Sequence, residues 1–437
     1  MKKILETFRS LQKWAQPGLG VKRWIFIILL GTTIIALGLA LFVIDIYRKA
    51  PDTWWLPIVS VASLLYLPRL VRVLIFVSLG VGIIIWGIIG LNKSLLGPFL
   101  KPGRAIVDQL EQHQSRKQGP KIVAIGGGHG LSTLLRGLKN VSHNIFAVVT
   151  VADDGGSSGR LRESLGILPP GDVRNCLAAL SDNEDLLAQL FQYRFTTQEG
   201  VLEGHSFGNL FISSMAEVTG SFEQAIAESG RVLAVSGRVL PASLENVNLI
   251  ADILDEESGK SIRVEGESKI TATKGQIQRL RLDPAEPAAY PEVIQAILSA
   301  DIIVVGPGSL YTSILPNLLV KDIYAAIRTS QALKIFICNV ATQQGETDGF
   351  SCGDHLRVIE DHIGVNLFDI IVANDNPPSA FNTRIEAVRV EEGLKEKYAV
   401  YKKDLLDVEH PWRHDPLKIS RVLIDLYRER TGPLTLE

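Results

Sequence analysis

The apolar positions of this chain fall into two patterns, long uninterrupted runs near the N-terminus and short spaced runs beyond them. Trp24 to Ile44 is 21 positions without a charge, and at about 1.5 Å per residue a helix of that length crosses a hydrocarbon layer of about 30 Å. A second uncharged run, Val73 to Leu91, is 19 residues long and is bounded by Arg72 and Lys93. Together they predict a transmembrane hairpin with helices at about 24–44 and 73–91. The first run is longer than the core of a cleaved signal peptide, about 7 to 15 residues, and lacks a small-residue cleavage site. From Lys121 the pattern changes to short apolar runs alternating with amphipathic stretches, which predicts an α/β domain with a mostly parallel sheet. Strands are predicted over Lys121–Ile125, Asn144–Ala152, Ala300–Val305, Lys334–Val340 and Phe368–Ala373, and helices over Leu131–Leu138 and Leu210–Val218. Alternation over Val247–Asp255, Ser261–Glu265 and Gln276–Asp283 predicts a small antiparallel β insert at about 245–283, a lid or oligomer surface. The organisation is thus a membrane anchor (1–104), a polar linker (105–120) and one large domain (121–437).

Charge divides at the same place. The whole chain has 45 Lys+Arg and 47 Asp+Glu, a formal charge of −2. Up to Arg104 there are 13 basic residues against three acids (Glu6, Asp45, Asp52), a net of +10, and the remainder nets −12. Basic residues flank the hairpin: six precede it (Lys2 to Arg23), six follow it (Lys93 to Lys121), and four lie in the loop (Arg48, Lys49, Arg69, Arg72). That bias puts both ends inside, a multi-pass protein of the cytoplasmic membrane with its N-terminus and C-terminal domain in the cytoplasm. Neither run holds an ionisable residue, so the hairpin reads as an anchor and not a transport path. A domain at −12 is unsuited to general nucleic-acid binding, which draws its affinity from Lys and Arg. With 46% hydrophobic and 21% charged residues the chain is not disordered. Cys176, Cys338 and Cys352 form no CxxC pair and read as reduced core thiols.

The candidate chemistry sits where strands run into helices. After the first strand come Gly126, Gly127, Gly128, His129 and Gly130. Glycines let the backbone approach an anion and the helix N-terminus supplies amide donors. The match to GxGxxG is imperfect, because Leu131 stands where the third glycine belongs, so a phosphate site and a tight structural turn are both open. The second strand ends in Asp153-Asp154, followed by Gly155, Gly156, Ser157, Ser158, Gly159, Arg160 and Arg162. An acid at the tip of this strand is where a dinucleotide fold holds a ribose hydroxyl. Adjacent Asp side chains of an extended segment point to opposite faces, so one can face a ligand while the other caps the loop. The Gly-Ser loop can donate to phosphate, and Arg160 or Arg162 can clamp it. Asp153 and Asp154 are also the candidate Mg²⁺ ligands, since oxygen donors and phosphate suit that ion.

Three further segments repeat the logic. Leu168 to Asn175 starts a helix, with Asp172 as cap or first-turn acid. Gly204 to Asn209 starts another, where His205 is either an acid–base group or a hydrogen-bonded structural residue. The apolar strand Ala300–Val305 runs into Gly306, Pro307, Gly308 and Ser309, facing the carboxyl edge of the sheet where open α/β folds bind ligands. Asn339 and Asn374 at later strand ends suit recognition of a base or sugar, or simply a turn. A nucleophile elbow, a P-loop and a zincin helix are all missing from the sequence.

The stretches GGGHGLSTLLRGLK, VVTVADDGGSSGRLR, LPPGDVRNCLAAL, GHSFGNL and GPGSLYTSILPNLL, in this order across roughly Lys121 to Pro433, resemble the YvcK group of gluconeogenesis factors in the CofD-like superfamily. The resemblance implies a Rossmann-like three-layer α/β fold, a homodimer, binding of a UDP-sugar, and a role with cell-wall synthesis proteins in maintaining cell shape during gluconeogenic growth. It also implies a nucleotide and phosphate pocket formed by Gly126 to Gly130 and Asp153 to Arg160, lined by Asn209 and Gly306 to Ser309. The related CofD enzymes move a phospholactyl group from a nucleotide-activated donor to a deazaflavin with Mg²⁺. Their acidic Ser-Pro-Asp-Leu-Asp stretch is replaced here by Pro169-Pro170-Gly171-Asp172-Val173-Arg174, and the N-terminal hairpin is additional to the usual soluble members. A nucleotide-sugar-binding regulatory protein is therefore the first reading. A Mg²⁺-dependent, 2-phospho-L-lactate transferase-like enzyme is the alternative, and an NAD-dependent oxidoreductase the third.

Overall fold

The computed structural model describes residues 119–431, apart from 182–183, 197–201, 256–258 and 377–384, and scattered positions between Thr32 and Ile85. The chain forms two compact units, Met1–Gln114 and Ser115–Glu437. Most of the hairpin expected at 24–44 and 73–91 lies outside the described residues. Among those described, no helix is long and apolar enough to cross a membrane.

The second unit is built on a parallel sheet of seven strands in the order β10-β9-β8-β7-β1-β2-β3. In chain order these are β1 (Ile122–Gly126), β2 (Ile145–Val149), β3 (Arg238–Pro241), β7 (Ile302–Val305), β8 (Leu333–Ile337), β9 (Ile370–Asn374) and β10 (Val400–Lys403). Strands β4 (Asn248–Leu254), β5 (Ser261–Glu265) and β6 (Gln276–Asp283) form a separate antiparallel sheet in the order β5-β4-β6. The two sheets differ as their sequences do. β1 and β7 are apolar and buried along their whole length, as strands covered on both faces must be. β4 alternates buried and partly exposed positions, one face packed and one wet.

Strand order creates the crevice. The chain leaves β1 toward β2 and β3 on one side, then returns on the other side as β7, pairing Ile122 with both Ile145 and Ile302. At such a switch point the loops after the two central strands part and leave a cleft at the carboxyl edge. Helices of this unit include α1 (Gly128–Leu138), α2 (Gly156–Leu165), α3 (Gly171–Leu180), α4 (Phe207–Thr219), α5 (Glu267–Ala272), α6 (Cys352–Ile363) and α7 (Pro416–Thr431), of which α1, α3 and α5 contribute residues to the cleft. α1 buries Leu131, Leu134, Leu135 and Leu138, a stripe at helical spacing, and packs against α3 and α7.

Several sequence expectations shift. α1 begins inside the glycine loop, three residues before Leu131, and the Gly-Ser loop is the first turn of α2. Short glycine-rich stretches lack an apolar period, so a helix that starts in them is invisible to patterning. β3 and β10 were not anticipated; each is four residues long and lies at an edge of the sheet. The insert's three strands match closely, but the helix α5 between β5 and β6 was not foreseen. Cys176, Cys338 and Cys352 are free and buried.

Candidate functional site

A cleft of about 640 Å³ opens at the switch point, within the size range of small-molecule sites. Its floor is the glycine loop. Gly127 is extended (φ −171°) and precedes the first turn of α1, and Gly128 takes a left-handed conformation at φ +58°. The loop after β7 lies against it so closely that a Cβ on Gly130 would stand 2.7 Å from Gly308 Cα and overlap the Pro307 carbonyl. The two loops are therefore one packed surface, and both line the cleft.

One wall is acidic. Asp153 (after β2), Asp172 (first turn of α3) and Glu267 (first turn of α5) all line the cleft. Burial, then the Asp153 charge, raises the Asp172 carboxyl to about 6, against a hydrogen bond from the Gly128 backbone and the nearby Arg174 guanidinium. Burial and the charges of Asp153 and Asp172 raise Glu267 to about 8. Three carboxyls share one wall, and Asp172 and Glu267 hold their protons more tightly than ordinary carboxyls.

The rest of the lining is mainly polar, with a guanidinium from Arg413. Asn339 accepts from the Gly308 N–H at 3.1 Å and donates back to the Gly308 carbonyl at 2.8 Å. The Ser309 hydroxyl donates to Gln343 Oε1 at 2.6 Å, and Gln343 Nε2 donates to Glu346 Oε1 at 2.7 Å. Glu346 is raised to about 7 by burial, opposed by donors from Tyr311 and Thr312. Trp412, Arg413 and His414 close the C-terminal side. His414 donates to the Cys338 carbonyl at 3.2 Å, and burial lowers it to about 4. His129 on the rim of α1 is lowered by burial and then by Arg413, Arg136 and Arg174, which marks a positive region over the helix N-terminus.

The residues singled out in the sequence separate into two groups. Gly127, Gly128, His129, Gly130, Asp153, Asp172, Pro307, Gly308, Ser309 and Asn339 line the cleft together. The others stand behind it. The Gly126 carbonyl accepts from the buried Asn317 side chain at 2.9 Å, and Gly306 turns the chain at φ +78°. Asp154 faces away, accepting at 2.8 Å from the Ser268 N–H at the start of α5. Gly155 donates to Asp153 Oδ1 at 2.9 Å, and Gly159 packs against the Asp154 carbonyl. Ser157, Ser158 and Asn209 are buried together; Asn209 Nδ2 donates to Ser157 Oγ at 3.1 Å, and His205 Nδ1 lies 3.1 Å from the same hydroxyl. Arg160 donates to the Glu203 carbonyl at 2.9 Å, and buried Arg162 donates to Asn246, Val247 and Asn248, so neither clamps a phosphate in the cleft. Asn374 accepts from the Leu405 N–H at 3.0 Å. The Asp pair thus splits, and among the described residues no group of three or more His, Cys, Asp or Glu is placed to hold a metal ion.

Sequence reading missed Glu267, Gln343, Glu346 and the Trp412–His414 loop. None lies in a glycine-rich turn, and tertiary packing alone brings them to the cleft. Asp172 was noted as a first-turn acid, but nothing in its spacing pointed to Asp153.

Comparison with known proteins places this arrangement. The family model described as 2-phospho-L-lactate transferase CofD matches residues 122–420. A relative from Nostoc sp. (strain PCC 7120), provisionally named a gluconeogenesis factor, is 49% identical over 376 residues, 84% of this chain and 80% of its own. The gluconeogenesis factor of Bacillus subtilis (strain 168) is 44% identical over 327 residues, 71% of this chain and 99% of its own. A crystal structure of a Bacillus halodurans protein, 46% identical, superposes with a TM-score of 0.66 and covers 70% of this chain and 99% of that one.

Proposed function

The chain belongs to the gluconeogenesis factors of the CofD family, and from that premise we propose that its cleft binds a nucleoside-diphosphate sugar, a uridine one first, and that it regulates by binding. In this reading the bound ligand reports on sugar-nucleotide supply to partners in cell shape and wall synthesis during gluconeogenic growth. The membrane hairpin, with both ends in the cytoplasm, would hold the domain beside those partners. What carries the reading is the cleft at the switch point, where the Gly127–Gly130 loop and the N-terminus of α1 supply amides for a diphosphate. Arg413 adds a guanidinium, and the polar wall of Gln343 and Ser309 offers directional contacts to the sugar or base. Local groups of this kind can attract an anion into a domain of net −12.

The acidic wall fits a Mg²⁺ that arrives on the diphosphate better than one held by protein alone, because its oxygen donors suit the ion but form no complete set. Such an ion would offset the charge of Asp153, Asp172 and Glu267. Titrating the full chain with UDP-N-acetylglucosamine in a calorimeter, with and without Mg²⁺, tests the proposal. Saturable heat is expected, and no heat at millimolar ligand would remove it.

One observation favours the transferase reading as the second. Asp172 and Glu267, raised to about 6 and about 8 beside Asp153, are neighbouring carboxyls of different proton affinity, the arrangement used for acid–base work. Release of free nucleotide from the bound ligand on incubation would move the assignment to that reading.

A further inference from the structure

We propose that Ser309 acts in the cleft as a hydrogen-bond acceptor and recognises a donor of the ligand, a sugar hydroxyl or a base N–H, because Glu346 fixes the polarity of Gln343 between them. This rests on the nucleotide-sugar reading and assigns part of its specificity. The chain of polarity begins at Glu346, which is 6% exposed. It receives Gln343 Nε2 at 2.7 Å, the Thr312 hydroxyl at 3.4 Å and the Tyr311 N–H at 3.4 Å. Above its raised value of about 7 Glu346 is a carboxylate, which accepts and does not donate, so the nitrogen end of the Gln343 amide faces it. The oxygen end then faces Ser309, whose Oγ lies 2.6 Å away. An amide oxygen also only accepts, so the single hydroxyl proton of Ser309 is spent on it. Ser309 is left with lone pairs and no proton on the cleft wall beside Gly308.

The consequence runs against the look of the sequence. A glycine-serine turn after a strand suggests a phosphate contact, and a phosphate oxygen needs a donor. The Ser309 hydroxyl has none to give. Asn339 removes the neighbouring amide as well, because it already accepts the Gly308 N–H. The diphosphate therefore falls to the amides of the Gly127–Gly130 loop other than Gly128, whose N–H is held by Asp172, and the Ser309 hydroxyl reads a part of the ligand that carries O–H or N–H groups. Glu346 is a positioning residue here, since it lines no part of the cleft and works through Gln343. A glutamine at 346 could turn either end to Gln343, which would leave the polarity of Ser309 undetermined.

The test is calorimetric titration, at pH 8.5 where Glu346 is ionised, of the full chain, its Ser309→Ala variant and its Glu346→Gln variant with three kinds of probe. These are UDP-glucose, its monodeoxyfluoro sugars (which keep an acceptor but lose a donor) and N3-methyl-UDP-glucose (which loses the base donor). One probe is expected to bind the unmodified chain about tenfold more weakly than UDP-glucose, and to lose no more than about twofold against Ser309→Ala. A fluoro sugar behaving so identifies a sugar hydroxyl as the donor; the methylated base identifies N3–H. Glu346→Gln is expected to shrink the same penalty toward the Ser309→Ala value. Penalties equal in the unmodified chain and Ser309→Ala, with UDP-glucose still binding, overturn the assignment of Ser309. A Glu346→Gln variant that is folded and keeps the full penalty overturns the positioning role. If UDP-glucose and UDP-N-acetylglucosamine both give no heat with the unmodified chain, the proposed function fails, and this inference with it.

Discussion

Gly127 and Asp172 compete for one corner of the cleft: a Cβ built on Gly127 would stand 2.6 Å from Asp172 Oδ2. Backbone and carboxylate meet because α3 delivers Asp172 into the opening of the first glycine loop, where the Gly128 backbone donates to it. Gly127→Ala is expected to displace that carboxyl and weaken nucleotide-sugar binding by at least about tenfold, or 1.4 kcal/mol. Ser313 Oγ and Thr150 Cγ2, each 3.1 Å from the same Cβ position, leave little room for relaxation. In an Asp172→Ala background the same glycine change should destabilise the fold less, a coupling that urea unfolding of the four proteins measures. Additive losses would mean that the two residues do not share this space.

The two aspartates of the pair should separate in their effects. Asp153 lines the cleft and its charge raises both Asp172 and Glu267. Asp153→Asn is expected to reduce any Mg²⁺ dependence of nucleotide binding while leaving the melting temperature nearly unchanged. Asp154 serves as a cap for α5 through the Ser268 N–H. Asp154→Ala is expected to lower stability by about 0.5–2 kcal/mol, as lost helix caps do, with Mg²⁺ dependence retained. Titrations with and without Mg²⁺, paired with thermal melts, decide the matter. If the two variants are indistinguishable, the split is wrong.

Arg160 and Arg162 offer a similar contrast two residues apart on α2. Arg162 is 7% exposed and ties α2 to the segment Asn246–Asn248. Arg162→Leu leaves the buried Val247 carbonyl without its donor, while Asn246 and Asn248 are exposed and can turn to water, and is expected to cost about 1–3 kcal/mol in urea unfolding. Arg160 is exposed and bonded to a loop carbonyl, so Arg160→Ala should stay within about 0.5 kcal/mol and leave nucleotide binding intact. A binding loss confined to Arg160→Ala would restore it as a phosphate clamp.

These contrasts show where sequence reading reaches its limit. The central strands were legible because β1 and β7 are unbroken apolar runs, and the insert because its alternation has a period of two. The glycine loops were legible because few other features need glycine before a helix. Which partner of a pair faces the ligand was not. Asp153 and Asp154 differ only in the side of an extended segment they occupy, and the packing of α5 decides which is used. Glu267 reaches the cleft from 114 residues beyond Asp153, and Glu346 comes to stand behind Gln343 from 37 residues beyond Ser309, with no local signal at either. Likewise Ser309 was legible as a cleft residue, whereas the direction of its hydrogen bond depends on Gln343 and Glu346.

The raised carboxyls in and behind the cleft should make the ligand-free fold sensitive to pH in a direction opposite to the usual carboxylate. Asp172, Glu346 and Glu267 are raised from ordinary values of 3.8, 4.5 and 4.5 to about 6, 7 and 8. A group that holds its proton more tightly in the folded state stabilises the fold fully below its unfolded pKa, and that contribution fades as pH rises through the folded value. Melting temperature is therefore expected to fall between about pH 5.5 and pH 8.5, by about 2–4 °C for each kcal/mol lost. Glu267→Gln keeps the size of the side chain and removes the charge. It should match the unmodified protein at pH 5.5 and exceed it at pH 8.5, flattening the upper part of the curve. The same ionisation adds negative charge to the cleft, so affinity for an anionic nucleotide without Mg²⁺ should also drop across this range, less in the variant. Thermal melts and titrations at five or six pH values test both curves. A Glu267→Gln protein whose melting temperature falls as steeply above pH 7 would show that Glu267 is not the group losing its proton there.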